Sequence, residues 1–406
     1  MELASIHRMS CFDQHKLSML HYFNSNDTND YDAELNVTSV AYDYYDEPAQ
    51  SDDYETLADV IKVLQRIFVP IVCLFGILGN ALTLLILTRK KLQKSCDGSE
   101  RTVHMGLFSL CCSDLLVCIC LLPHGLLAYS SFFESRHITF TIVYRVYGSA
   151  LANTFILTST WCTVNMAASR YMAIVHPIKT RPLVSPTGTK ISYFLVFTIC
   201  MAFNVPRFFM EKISRIVCPD GSERFYTEPS YFHKNEGART VFMWVYFVVG
   251  IFIPLATLAV CNIGLVKALI KSARLRKQCR VPANHVKSNL RITSILVTIV
   301  VMYIALVSPA EILSFVTDRL MRKDGHASEP LTFASELTNI LQTINFSCNF
   351  LIYFILNVQF RVALKEMFRP CTCRREPPKN ERYRFRPFSR QKSDVSKYVE
   401  TTQTKV

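Results

Sequence analysis

The sequence predicts an all-α membrane protein: a seven-transmembrane helix bundle with a short amphipathic cytoplasmic helix. Three observations carry that prediction. Only 19% of the 406 residues are charged and 50% are hydrophobic, whereas soluble proteins are about a quarter charged. Seven runs are apolar over lengths that approach or exceed the roughly 20 residues needed to cross a bilayer. The Lys and Arg residues between those runs fall on alternate loops, as in a multi-pass protein. A mean hydropathy of +0.20 argues against disorder over most of the chain. The pI of 9.1 would suit a nucleic-acid binder, but the apolar fraction and an acidic head argue against nucleic acid as a partner.

The first run, Ile67–Thr88, contains no charged residue, and the second, Met105–Phe133, contains only Asp114. The third, Val146–Ser169, is uncharged for 24 residues, and the fifth, Thr240–Val266, for 27. The sixth, Ile292–Thr317, contains Glu311 alone, and the seventh, Leu337–Phe360, no charge. The fourth is the shortest, with 16 uncharged residues from Ile191 to Pro206. It reaches across when extended to about Phe209 or where the bilayer thins. All these runs are apolar on every face, which separates them from helices of a soluble core.

Charge sidedness sets the expected orientation. Residues 1–60 carry 13 acidic against two basic residues, a balance of −11, which leaves +24 on residues 61–406. Basic residues cluster after the first, third and fifth runs and in the tail, so that side is expected to be cytoplasmic. The acidic head is then extracellular. Asn26 and Asn36 begin Asn-x-Thr sequons there and are the expected glycosylation sites. Met1–Ser51 lacks the apolar core of a signal peptide, so the first run is expected to act as signal anchor. The expected segments are an extracellular tail at 1–63, a helix bundle at 64–358, an amphipathic helix at 359–369 and a cytoplasmic tail at 370–406. The expected location is the plasma membrane.

Several polar residues lie where a bilayer makes them costly. Asp114 lies within the second run, and Asn80 lies at similar depth in the first, with an amide able to bond it. Ser169-Arg170-Tyr171 ends the third run, Asn349-Phe350-Leu351-Ile352-Tyr353 ends the seventh, and Pro254 and Pro309 interrupt the fifth and sixth. Each alone has an ordinary reading, such as an interface anchor or a tolerated proline. As an ordered set over about Leu64 to Arg369, they resemble the rhodopsin-like G-protein-coupled receptors. That resemblance implies an intramembrane polar network at Asn80 and Asp114. It also implies activation and G-protein coupling through Ser169, Arg170, Tyr171, Asn349 and Tyr353.

The chain departs from that family's pattern at its switches. The acid that normally precedes the arginine is Ser169, so the resemblance implies raised ligand-independent signalling. Phe350 replaces the seventh-run proline, Val307 the sixth-run tryptophan, and the fourth-run tryptophan position falls near Val196. The family's disulfide joins the third run to the second outer loop. Cys218 is present in that loop, but the third-run position is Arg145. Cys11 and Cys218, both expected outside, are an alternative pair.

The third run has no acid in Ser149-Ala150-Leu151-Ala152-Asn153, which argues against a monoamine ligand. Candidate ligand residues are Glu311, two beyond Pro309, with Gln342 and Asn153 able to face it. Asp318 lies about two turns further on nearly the same face, and Arg145 and Arg207 lie at outer helix ends. With aromatic neighbours such as Phe315 and Tyr144, these acids suit a peptide with a basic residue and an apolar or amidated end. The competing readings are an internal pairing of Glu311 and solvated mouth residues for Asp318, Arg145 and Arg207. Asn204-Val205-Pro206-Arg207-Phe208-Phe209, with the Phe350 and Ser169 variants, is similar to invertebrate neuropeptide receptors of the FMRFamide and myosuppressin groups. Tyrosines among carboxylates at 42–47 read as sulfation sites or as part of a solvated tether.

Residues 358–368 repeat apolar positions at helical spacing, as expected of a helix lying on the inner membrane surface. Cys371 and Cys373 follow as palmitoylation candidates, and no second ligand pair makes them a metal site. The tail carries Ser393, Ser396, Thr401, Thr402 and Thr404 for an arrestin-type partner, and ends in the PDZ-ligand pattern Thr404-Lys405-Val406. The expected function is a peptide-activated receptor signalling to a heterotrimeric G protein through the basic segment 267–291. The alternative is an atypical seven-helix receptor acting as scavenger or scaffold without coupling. A transporter lacks its inverted repeat. An enzyme lacks a nucleophile–base set, and no cofactor is expected.

Overall fold

The computed structural model describes residues 60–61, 63–89, 98–127, 138–175, 185–217, 223–279, 284–324 and 329–368. The head with Asn26, Asn36 and Cys11, the loop cysteine Cys218, and the tail with Cys371 and Cys373 lie outside the described residues.

Among the described residues, seven long helical stretches follow one another. Six are long and apolar enough to cross a membrane: Leu64–Leu87, Arg101–His124, Pro186–Phe209, Glu236–Ala268, Thr293–Leu320 and Pro330–Leu356. Their outward residues are large and apolar; Leu78 and Phe194 are each 70% exposed, as suits lipid and not water. The remaining helix, the third, is Ile138–Val175, the longest at 38 residues. It is the polar one. Thr154, Thr158, Ser159, Thr160 and Thr163 are buried along it, and the four threonine hydroxyls donate to carbonyls one turn back at 2.8–3.0 Å. Its run contains no charge, yet it is less apolar than the other six because it carries this row of hydroxyls into the bundle, while Phe140, Val143 and Leu151 remain exposed on its outer side.

Local chemistry sets the helix limits. The fourth helix starts at Pro186, where Ser185 accepts a bond from the Gly188 N–H at 3.1 Å. The run read as 16 residues is a full span because a 3-10 turn, Val205–Phe209, continues it past Pro206. In the fifth, Asn235 caps the Ala238 N–H at 3.0 Å, and Glu236 complements the first turn. A wide π segment, Phe247–Phe252, precedes Pro254, as expected where a proline removes a helical donor. The sixth breaks at Val307, between Asn284–Leu306 and Ser308–Asp324, just before Pro309. The seventh helix ends at Leu356 and not at Phe360. Asn357 interrupts the helix and caps the Phe360 N–H at 3.3 Å, starting helix Val358–Phe368. Phe360 then packs back on Phe350 and Tyr353, with ring centroids 5.8 and 6.1 Å apart.

The core includes Val117, Cys118, Leu258, Val300, Val307 and Phe346. At Gly76 the first helix approaches the second and seventh so closely that a Cβ would lie 2.6 Å from both the Cys118 sulfur and the Ser347 hydroxyl. The chain divides into two units, 1–361 and 362–406. The described part of the second unit, residues 362–368, is helical, with Val362 and Phe368 exposed.

One feature lay outside the expected all-helical plan. Strands β1, Glu211–Val217, and β2, Glu223–Pro229, form an antiparallel hairpin with Ser214 opposite Tyr226. Lys212 pairs with Glu228 at 2.9 Å, and the Ser214 hydroxyl also donates to Glu228. These two contacts hold the Glu228 carboxyl below its ordinary range, the hydroxyl contributing most. The sequence signal was Pro219-Asp220-Gly221 between the two stretches, a recognised turn former.

Candidate functional site

The fifth, sixth and seventh helices meet at the hairpin end around Glu311. Gln342 of the seventh helix donates to Glu311 at 2.8 Å, and the Tyr246 hydroxyl of the fifth lies 3.5 Å from its other oxygen. Arg207, carried by the 3-10 turn after the fourth helix, stacks over the Tyr246 ring at 4.2 Å and the Phe242 ring at 5.9 Å. Its charge acts on Glu311. Phe315 sits 4.5 Å from Phe247 and 5.4 Å from Trp244, forming an aromatic seam between the fifth and sixth helices. Above it, Arg239 pairs with Asp318 at 3.2 Å.

The structure therefore brings together Glu311, Gln342 and Arg207, with Asp318 further along the same helix. It does not bring Asn153 to them. The Asn153 amide donates to the Ser149 carbonyl of its own helix at 2.9 Å, which uses the group locally. Arg145 is also apart: it is exposed on the third helix and acts on Glu211 of β1. Burial raises the Glu211 carboxyl above its ordinary range, and Arg145 partly offsets that. Tyr144 lies away from Phe315, stacking on Phe140 at 6.2 Å.

Deeper in the bundle, Asp114 is fully buried and accepts from two helices. The Ser159 hydroxyl donates to one oxygen at 2.6 Å, and the Asn349 amide donates to the other. The bond from Asn80 to Asp114 that their similar depth suggested is not made. The Asn80 amide donates to the Phe346 carbonyl at 2.9 Å and ties the first helix to the seventh. One polar layer thus links the first, second, third and seventh helices.

At the opposite end, Arg170 is buried and Tyr171 half-buried. Ser169 and Arg170 line a small cleft with Thr102, Val103, Met166 and Tyr193. Tyr171 packs on Gly264 of the fifth helix so closely that any Cβ there would meet its ring. Tyr353 is 2% exposed, beneath Phe360.

Comparison with known proteins decides the family. Residues 67–371, most of the chain, match the pattern of the serpentine type 7TM GPCR chemoreceptor Srw family. The chain belongs to that family. It is a multi-pass membrane receptor of the G-protein-coupled class and not an enzyme. The receptor is 24% identical to the FMRFamide receptor of Drosophila melanogaster over 319 residues, covering 77% of this chain and 55% of that protein. It therefore spans little more than half of that relative's length. It is 23% identical to the allatostatin-A receptor of Bombyx mori, covering 82% of this chain and 86% of that one. The QRFP-like peptide receptor of Branchiostoma floridae is 25% identical, with 78% and 80% covered.

Four residues of this receptor's polar sites were missed in the sequence. Ser159 was hidden among many hydroxyls, and Tyr246 was one of several aromatics in a charge-free run. Arg239 stands one residue before the fifth run and His233, whose Nε2 lies 2.7 Å from an Arg239 nitrogen, seven before it; a cation beside an acid-bearing helix end was the available signal.

Proposed function

We propose that this receptor is activated by an extracellular peptide bearing a cationic group, and that it signals to heterotrimeric G proteins. The observation that carries the reading is the Glu311 site, an intramembrane carboxylate flanked by Gln342, Tyr246 and Arg207. An acid at that depth needs a compensating partner, and a ligand cation would strengthen what two neutral donors and one stacked arginine supply. The printed names of the relatives, receptors for FMRFamide, allatostatin-A and QRFP-like peptides, support a peptide ligand.

In this proposal the hairpin end faces outward at the plasma membrane, with the glycosylated head outside and the tail inside, following the one-sided Lys and Arg distribution. Glu311, Gln342, Arg207 and Asp318 contact ligand, while Arg145 and Asn153 shape the surrounding wall. Ser169, Arg170 and Tyr171, with Asn349 and Tyr353, transmit to the G protein. Asn80 and Asp114 hold the helices between the two ends. Palmitate at Cys371 and Cys373, a Cys11–Cys218 link, arrestin on the tail and a PDZ domain at Val406 complete it.

The test is expression in cells with a panel of amidated peptides, FMRFamide included, read by calcium, cAMP and arrestin recruitment. A dose-dependent second-messenger response to a basic amidated peptide is expected. Arrestin recruitment with no second messenger for any active peptide would contradict coupling. Ser169→Asp restores an acid beside Arg170, and its ligand-independent signal is expected to fall below wild type at equal surface expression. Equal basal signals would remove the role assigned to Ser169.

A further inference from the structure

Arginine has no hydrogen-bond acceptor. One Arg239 nitrogen lies 2.7 Å from the His233 Nε2, while another donates to Asp318 at 3.2 Å. At 2.7 Å the contact is a hydrogen bond only if Nε2 accepts, which fixes His233 as the neutral imidazole with its proton on Nδ1. A protonated imidazole would turn an N–H towards the guanidinium and set two cations against each other.

The three residues belong to different elements. His233 lies on the short helix Tyr231–Lys234 after β2, Arg239 in the first turns of the fifth helix, and Asp318 near the end of the sixth. Below them the same two helices are joined by the Phe247–Phe315 and Trp244–Phe315 ring pairs, by Arg319 stacked over Trp244 at 5.4 Å, and by Tyr246 to Glu311. The His233–Arg239–Asp318 chain therefore sits at the open end of the seam between the fifth and sixth helices. The other charged residues on the elements packed against this short helix are Glu223, Arg224 and Glu228 on β2, Arg207 on the 3-10 turn and Glu236 on the fifth helix, with Lys234 beside His233.

We propose that His233, Arg239 and Asp318 form a proton-sensitive latch that closes the fifth and sixth helices together at the hairpin end. With His233 neutral, it orients Arg239 onto Asp318 and the latch is shut. Protonation withdraws the acceptor and places a second cation beside Arg239, so the latch weakens as pH falls. Histidine is the side chain whose ordinary titration spans this range. The sign is fixed: closure is present above the imidazole's titration and lost below it. The latch acts before any ligand arrives and does not depend on the ligand's identity.

Hydrogen exchange of the purified full-length receptor tests it, at about pH 7.5 and about pH 5.5, with labelling times scaled for intrinsic exchange. Amides of residues 231–246 and 308–320 in wild type are expected to exchange roughly two- to five-fold faster at the lower pH, about the range that loss of one ion pair near the surface allows. His233→Gln keeps an acceptor oxygen for Arg239 but does not titrate, so its exchange in those segments is expected not to respond to pH. Asp318→Asn removes the far end, and its exchange is expected to be raised already at the higher pH. An unchanged wild type, or an equal pH response in His233→Gln, would overturn the latch.

Discussion

Gly76→Val is expected to cost the receptor most of its surface expression. Its Cβ would lie 2.6 Å from the Cys118 sulfur and the Ser347 hydroxyl, and 3.0 Å from the Ser347 Cα. The side chains could rotate away, but the backbone atom belongs to the seventh helix, which holds Asn349 against Asp114. The first helix must therefore separate from the second and seventh. Overpacking of a close core costs about 1–3 kcal/mol, and more where backbone must move. That is a large share of the ~5–15 kcal/mol typical of a folded domain. Gly76→Ala is expected to show a smaller loss of the same kind. Gly237→Ala is the control, because its Cβ would meet only Asn235 at an ordinary 3.5 Å. Surface labelling in cells and thermal unfolding in detergent read all three.

Asp114→Leu carries the second large effect. The leucine removes the acceptor used by Ser159 and Asn349 and leaves two donors buried among apolar neighbours. Each such orphaned group costs about 1–3 kcal/mol. Asp114→Asn keeps one acceptor oxygen and should lose less. Combining either change with Ser159→Ala should cost less than the sum of the separate losses, since the hydroxyl's partner has already gone. Additive losses in thermal unfolding would mean that Ser159 and Asp114 do not act as a unit.

Much of this structure was legible in the sequence because lipid imposes a simple rule: a helix facing it must be apolar over about 20 residues. That rule placed the runs of six helices. It located the third through absence of charge, without revealing that its buried threonine hydroxyls are bonded to its own carbonyls while Ser159 reaches Asp114. Sequence depth set Gln342 against Glu311, but it offered Asn80 and not Asn349 as the amide for Asp114, because it could not say which way an amide turns. Asn80 reaches a carbonyl of the seventh helix and Asn153 a carbonyl of its own. The hairpin escaped because its strands lie outside the apolar runs, and Pro219-Asp220-Gly221 was the only strong local marker. Arg239 and His233 were invisible as partners because their geometry depends on where the fifth helix begins, which Asn235 sets through its cap.

The most direct measurement compares an active basic amidated peptide with its citrulline analogue, which keeps the shape of arginine without the charge, on wild type and on Glu311→Gln. Wild type is expected to favour the arginine peptide by roughly ten- to a hundred-fold in potency, the worth of a charge-assisted bond. In Glu311→Gln, which keeps the Gln342 and Tyr246 surroundings, that preference is expected to collapse while the response to the citrulline peptide changes little. An undiminished preference for arginine in Glu311→Gln would contradict a cationic ligand group held by Glu311.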